Sequence, residues 1–393
     1  MILTAKQEEG LRIAIARYRA KEPYTCISGF AGSGKSTLIK FIVAALDLQP
    51  EDVAYIAFTG KAANVLQQKG CPNAMTAHKL LYNAKPLSNG TFIFEEKSSL
   101  DEDYKLLIVD EVSMLPKPMW ELLLSHRIHV IAAGDPGQLP PINKDDDNHV
   151  LDKPHVFLEE IMRQAKESEI IRLSMHIREG KPISTFEANG EQVQIFDKSQ
   201  TVCGMYDWAD QILCATNDKR NEINRIVRTL KGFGDLPCEQ DKIISLNNHW
   251  DEASNKAVPL TNGSIGKITG FTTQDIHLPK YIFDKPLSII RLNMDAGLDG
   301  EFTCLDVDLN GLISGTETLA PKQKFQMKKN KMLSNPPLFF AYGYAITTHK
   351  AQGSEWPRVL VFEENFPFEK EEHKRWLYTA TTRASEKLVI IKK

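Results

Sequence analysis

The chain has no C-x-x-C pair. Its six cysteines are scattered over 393 residues. That spacing argues against both a zinc site and a disulfide framework, and Cys26, inside an apolar run, reads as core. No apolar stretch approaches the ~20 residues that a bilayer-crossing helix needs. The first residues, "MILTAKQEEG", carry no signal-peptide pattern, so a reducing cytoplasm is the expected compartment. Positive charge is not in excess either. The chain holds 48 Lys and Arg against 51 Asp and Glu, a formal net charge of −3. No polycationic surface covers it, and any nucleic-acid contact must be local. There is no internal repeat and no low-complexity tract. The length suffices for two or more domains with their own cores.

What is present begins with "GFAGSGKST", Gly29–Thr37, which fits G-x-x-x-x-G-K-[ST]. The preceding "YTCISGF" is a short run of strand formers, and "KSTLIKFIVAAL" after it has the period of a helix. The glycines therefore lie on a strand–loop–helix turn. Backbone N–H groups of Gly32, Ser33, Gly34 and Lys35 can point at phosphate oxygens, aided by the helix N-terminus. Lys35 would neutralise the terminal phosphates, and the Ser36 hydroxyl would take a Mg²⁺ position. The loop implies nucleotide binding without naming the reaction.

Four apolar runs alternate with helical stretches: "YTCISGF", "VAYIAFT", "KLLIVDE" and "RIHVIAAGD". That alternation predicts a parallel sheet covered by helices, with ligands at the carboxyl ends of its strands. "IVDEVSM" places Asp110 and Glu111 at such an end. Asp110 suits Mg²⁺, and Glu111 can orient or deprotonate the water that attacks a γ-phosphate. Adjacent carboxylates there can also cap a helix. "GDPGQLPPI" puts the Gln138 amide beyond the fourth run. Arg163 in "IMRQA" and Arg383 in "TATTRAS" are far apart in sequence, yet a phosphoryl transition state needs such guanidinium charge. Between Tyr82 and Asp103 the "SNG" of "PLSNGTFIFEE" predicts a hairpin. "LEEIMRQAKESEIIRLSMHIREG" predicts one or two helices, and "QILCATNDKRNEINRIVRTL" a strand followed by a helix. Short strands and Gly/Asn/Asp turns from about Ile243 to Pro337 predict a β domain inserted into a second α/β domain.

Taken in order, "LTAKQ", "GFAGSGKST", "AFTGKAANVL", "TAHKLL", "IVDEVSM", "GDPGQLPPI", "IMRQA", "LTNGSIGKI", "AITTHKAQGSEW" and "LYTATTRASEKL" resemble the superfamily 1 DNA helicases of the RecD and Dda branch. The resemblance covers nearly the whole chain. It implies an α/β fold of two RecA-like domains. Residues 1–150 would form the first, with a pin insertion at about 83–103. Residues 151–242 and 338–393 would form the second, with an SH3-like β insertion at 243–337. It implies an ATP-dependent, Mg²⁺-requiring motor moving 5′-to-3′ on single-stranded DNA, a monomer that opens forked duplexes. A single-strand-binding or replication protein is a further expected partner. The setting would be the cytoplasm of a bacterial or phage-infected cell, and the sequence does not choose between replication, recombination and repair.

By the same resemblance, Gln7 matches a glutamine that reads adenine, although Thr4-x-x-Gln7 is also a capping box. Lys35, Ser36, Thr37, Asp110, Glu111, Gln138, Arg163 and Arg383 match the ATPase centre. Thr59, Lys61, His78, Thr348, His349 and Lys350 match strand-contacting segments, and Phe58 adds an aromatic face of the kind single-strand channels use. Gln352 and Gly353 would couple that contact to the γ-phosphate. Phe92 or Phe94, on one face of a hairpin strand, would be the wedge. The basic run "PKQKFQMKKNK" either lines DNA or is a lysine-protected edge. The length leaves no room for an accessory nuclease. Two competing readings are a small-molecule kinase and a DNA-binding subunit without activity. A kinase has no need of Arg383 in a distant segment, and intact Lys35, Glu111 and Arg383 argue against the second.

Overall fold

A computed structural model describes the chain except residues 1–2, 72, 87–91, 142–143, 161–166, 248, 254, 256–258, 277–285, 321–322, 324–326, 328–336 and 368. It also leaves aside the side chains of residues 84–86, 92–94, 144, 250–253, 259 and 298. The chain divides into two units: Met1–Leu81 with Lys97–Ala215 and Ala351–Lys393, and Tyr82–Glu96 with Thr216–Lys350.

All four apolar runs form strands in the first unit. They are β1 (Tyr24–Gly29), β2 (Val53–Ala57), and, past β3 (Ala74–Thr76) and the hairpin strands β4 (Tyr82–Pro86) and β5 (Phe92–Glu96), β6 (Leu106–Val109) and β7 (His129–Gly134). β8 (Val156–Leu158) follows. The first sheet runs β3-β2-β6-β7-β1-β8, parallel throughout, with Ile27 beside Ala133 and Val156, and Val53 beside Leu106. Such strands are covered on both faces, so they read as continuous apolar runs and not as alternation. Ile27, Leu38, Ile42, Leu106, Ile108 and Ile131 make the buried core between the sheet and helix α1 (Ala5–Arg19) and helix α2 (Lys35–Ala45). Because every strand points the same way, Gly29, Ala57, Val109 and Gly134 all end on one edge.

β3 and β8 were not foreseen. At three residues each, neither holds a full period of a pattern. Leu158, read as the start of a helix, is the last residue of β8, and the helix that follows spans Glu169–Arg178. A second parallel arrangement in this unit sets Trp356–Phe362 between Gln211–Cys214 and Ala384–Lys392, with Val193–Asp197 beyond the last. No described helix is long and apolar enough to cross a membrane.

The second unit contains the expected hairpin, with β4 and β5 antiparallel and Tyr82 opposite Glu96. It also holds an antiparallel sheet in which Glu301–Asp308, Leu287–Asp295, Ile265–Ile276, Lys242–Ser245 and Phe340–Tyr342 are successive neighbours. The helix Asn217–Leu230 is tied to the region entering this sheet by a buried ion pair. Arg228 Nε lies 3.0 Å from Asp241 Oδ1, and Arg228 Nη2 3.1 Å from Oδ2. The Tyr344 hydroxyl and the Cys238 N–H also donate to that carboxylate, and the guanidinium lies 4.1 Å from the Tyr342 ring centroid. Asp241 is fully buried. Removing one partner leaves the other charge uncompensated, so Asp241→Ala is expected to cost about 3–5 kcal/mol. Urea unfolding measures it, and a loss under about 1 kcal/mol would contradict an anchoring role.

Candidate nucleotide site and nucleic-acid interface

The phosphate loop takes its shape from two glycines with left-handed backbone, Gly32 (φ 76°) and Gly34 (φ 84°). Gly34 caps α2 without a side-chain bond, and no acidic residue occupies the first turn, so the positive end of the helix stays unneutralised. Gly29 is needed for room: a Cβ there would lie 2.6 Å from Ser33 Oγ and 3.0 Å from the Leu158 carbonyl oxygen. Lys35 Nζ donates to the carbonyls of Gly29 at 2.7 Å and Phe30 at 3.1 Å, arched over the loop that would receive phosphates. Ser33 Oγ is buried with no partner among the described residues. Ser36 is exposed and Thr37 half-buried on the first turn of α2.

Asp110 and Glu111 follow β6. Glu111 adopts φ 53°, and its N–H donates to Asp110 Oδ1 at 3.1 Å. The two carboxylates do not form the helix-capping pair that the sequence also allowed: no side-chain cap bond is made at Glu111. Arg383 Nη1 stands 3.7 Å from Glu111 Oε1. The guanidinium is held from behind by the carbonyls of Thr379 and Ser354 and by Thr382 Oγ1. Glu111 Oε2 is buried with no partner among the described residues. The side chain keeps 25% exposure. Desolvation pushes both carboxyl groups above their ordinary range, opposed first by Lys35 at Asp110 and by Arg383 at Glu111.

Gly353 closes this corner. With φ 74°, a Cβ there would sit 2.8 Å from Ala62 Cβ, 3.4 Å from Glu111 Oε2 and 3.5 Å from Thr59 Oγ1. Gln352 donates to the Leu139 carbonyl at 2.9 Å, and Leu139 N–H donates to Thr379 Oγ1 at 3.0 Å. Gln138, between these clamps and Asp135, is buried with Oε1 free of any described partner. Gln7 forms its capping box in full: its N–H donates to Thr4 Oγ1 and its Oε1 accepts from Thr4 N–H. Its amide also reaches the Gly34 carbonyl at 3.5 Å, joining the start of α1 to the phosphate loop. No cluster of three or more His, Cys, Asp or Glu capable of holding a metal occurs among the described residues. One desolvated carboxyl and one serine hydroxyl instead fit Mg²⁺ of the kind whose remaining ligands are phosphates and water.

Residues 3–199 match the family described as an AAA domain, and residues 342–391 the UvrD-like helicase C-terminal domain. The ATP-dependent RecD2 DNA helicase of Deinococcus radiodurans is 26% identical over 383 residues, covering 92% of this chain and 46% of that protein. The chain belongs to the RecD and Dda type of superfamily 1 helicases. The ATP-dependent DNA helicase dda of Enterobacteria phage T4 is 31% identical over 145 residues, 36% of this chain and 33% of that protein. The chain thus spans less than half the length of either relative. The Bacteroides Pif1 structure bound to single-stranded DNA superposes with a TM-score of 0.55 at 18% identity, covering 99% of this chain and 92% of that one. The two-domain RecA-like α/β fold is accordingly that of this chain.

Of the residues expected to contact a strand, Phe58, Thr59, Lys61 and His78 fall in the first unit and Thr348, His349 and Lys350 in the second. Phe58 and His78 are brought together, ring centroids 6.1 Å apart. Burial lowers the His78 pKa, so it offers a neutral ring. Thr59 caps the helix Gly60–Gln68, and Lys61 Nζ lies 4.6 Å from the Trp356 ring centroid. Thr348 is fully buried. Arg163 and most of the run 321–331 lie outside the described residues, as do the side chains of Phe92 and Phe94. Sequence reasoning missed Tyr378, Trp356 and Asn262. All three stand in segments already singled out, but neither spacing nor residue type marks them.

Lys350 donates to Asn262 Oδ1, and burial, with Arg220 adding to it, lowers its pKa to about 8. The sign follows directly. Unfolded, the ammonium keeps its proton up to its ordinary range, so the burial penalty is complete below about pH 8 and is relieved as pH rises further. A phosphate at Lys350 would restore the proton. Single-strand affinity at fixed salt is therefore expected to fall, by up to about tenfold per pH unit, above pH 8. Lys350→Arg should flatten that slope in fluorescence-anisotropy titrations. An unaltered slope would remove Lys350 from the interface.

Proposed function

We propose that this chain is an ATP-driven DNA motor that moves 5′-to-3′ on single strands and opens forked duplexes. The carrying observation is the approach of Arg383, from the C-terminal segment, to Glu111 at the end of β6. A phosphoryl-transfer centre assembled from two parts of a chain ties hydrolysis to their closure. Lys35 leaves the loop carbonyls for the β- and γ-phosphates. Glu111 orients and deprotonates the attacking water, the Gln138 amide supports it, and Arg383 with Arg163 balances charge on the equatorial oxygens. Mg²⁺, held by Ser36 and Asp110, would neutralise phosphate charge. Gln7, beside the phosphate loop, contacts adenine as the family resemblance implies. The domain limits follow the family: 1–150 with the pin, 151–242 and 338–393, and 243–337. Phe58 and His78 support strand contact through neutral stacking faces in the first unit, and Lys350 supports it through a basic donor in the second. The partners are single-stranded and forked DNA, with a single-strand-binding or replication protein beside them and the chain acting as a monomer.

ATP hydrolysis measured with and without single-stranded DNA tests the motor reading. Strong stimulation is expected, whereas a kinase or an inactive DNA-binding subunit gives none. Lys35→Ala and Glu111→Gln should each abolish turnover. Nucleotide binding should fall only in the first, because Glu111→Gln keeps the shape and removes the base. Normal hydrolysis by Glu111→Gln would sink the catalytic assignment. Forks with 5′ or 3′ tails decide polarity.

The β4–β5 hairpin is the wedge in this reading, with Phe92 or Phe94 replacing base stacking worth about 1–3 kcal/mol. Exchanging residues 85–96 for a short Gly/Ser turn should leave DNA-stimulated hydrolysis near normal and greatly reduce unwinding of 5′-tailed duplexes. Undiminished unwinding would move the wedge elsewhere.

A further inference from the structure

The hydroxyl of Tyr378 joins two loops of the nucleotide site. It donates to Asp135 Oδ2 at 2.6 Å and accepts from the Ala31 N–H of the phosphate loop at 3.1 Å. Tyr378 is 1% exposed and Asp135 3%. Burial, then the Asp135 charge, raises the phenol's pKa well above its ordinary value, so it remains a donor. The other Asp135 oxygen accepts from Gly137 N–H at 2.9 Å. Gly137 lies against the phenol ring: a Cβ there would stand 3.0 Å from Tyr378 Cε1. One residue on comes Gln138, and then Leu139, fastened to Thr379 and Gln352. The loop is thus pinned on both sides of Gln138 by neighbouring residues of one helix, Lys370–Thr381, which leads directly to Arg383.

We propose that Tyr378 is a positioning residue for hydrolysis. Its hydroxyl ties the Asp135–Leu139 loop to the phosphate loop and thereby fixes the place of Gln138, whose buried Oε1 has no described partner. Arg383, carried by the same helix end, is set in register with that amide. This rests on the ATPase reading above. A group that acts only through Gln138 should affect turnover more than nucleotide binding.

The test is steady-state ATP hydrolysis with saturating single-stranded DNA by wild type, Tyr378→Phe, Gln138→Ala and the double variant, with thermal melting of each. Tyr378→Phe is expected to lower kcat about tenfold and to leave the KM for ATP within about twofold. The double variant should be no slower than the slower single variant, since both act through one amide. Asp135→Ala removes the other end of the same hydrogen bond. It should reproduce the kcat loss and be non-additive with Tyr378→Phe, and it carries the test if Tyr378→Phe folds poorly. The proposal is overturned if kcat per folded molecule is unchanged, if the single losses multiply, or if only the melting temperature moves. A wild type without ATPase activity overturns the nucleotide-site reading itself, and the positioning role with it. An active wild type with an unaffected Tyr378→Phe overturns the positioning role alone.

Discussion

The contact between Arg383 and Glu111 is the constraint on which the rest of the site depends. Two opposite charges 3.7 Å apart attract by about 4 kcal/mol at an effective dielectric constant near 20. Yet desolvation is the largest influence on Glu111 and its pKa still moves upward. The pair is therefore held in place by its surroundings and is not a net gain that holds them. Three further hydrogen bonds fix the guanidinium from behind, and a left-handed backbone turns Glu111 toward it. Polar atoms kept short of described partners beside a buried guanidinium suit a charge that exists only as phosphate is transferred.

Most of that organisation runs through one short helix. Tyr378 reaches the phosphate loop and Asp135, Thr379 holds Leu139, and Arg383 follows at the end. The helix therefore contacts two carboxyl-end loops of the first sheet at once, those after β1 and β7. Buried atoms without a described partner, on Ser33, Glu111 and Gln138, border the same edge. Such atoms are costly unless a ligand completes them.

The second unit solves a different problem. Its antiparallel sheet and the helix Asn217–Leu230 are joined through a buried charge network centred on Asp241. Arg228 is bonded to Asp241, whereas Lys350 is bonded to the neutral Asn262 and feels the Arg220 charge. The first charge is spent on architecture. The second carries a burial penalty, which a phosphate at the proposed strand contact would offset.

Sequence alone determined the parts whose chemistry is local. Gly32, Gly34 and Lys35 are legible because only that spacing wraps a backbone around phosphate. The strands β1, β2, β6 and β7 are legible because a sheet covered on both faces needs unbroken apolar runs. Motif order singles out Asp110, Glu111 and Arg383 as candidates, and spacing alone gives the Thr4–Gln7 cap. Tertiary structure alone decided what each reaches. β3 and β8 are too short to carry a period. The neutrality of His78 and the lowered pKa of Lys350 come from burial, which no spacing encodes. Tyr378 looks like any core tyrosine until the fold brings Ala31 and Asp135 to its hydroxyl, across more than two hundred residues. A hydrogen bond between distant loops leaves no periodic trace in the chain, so only the folded structure can place it.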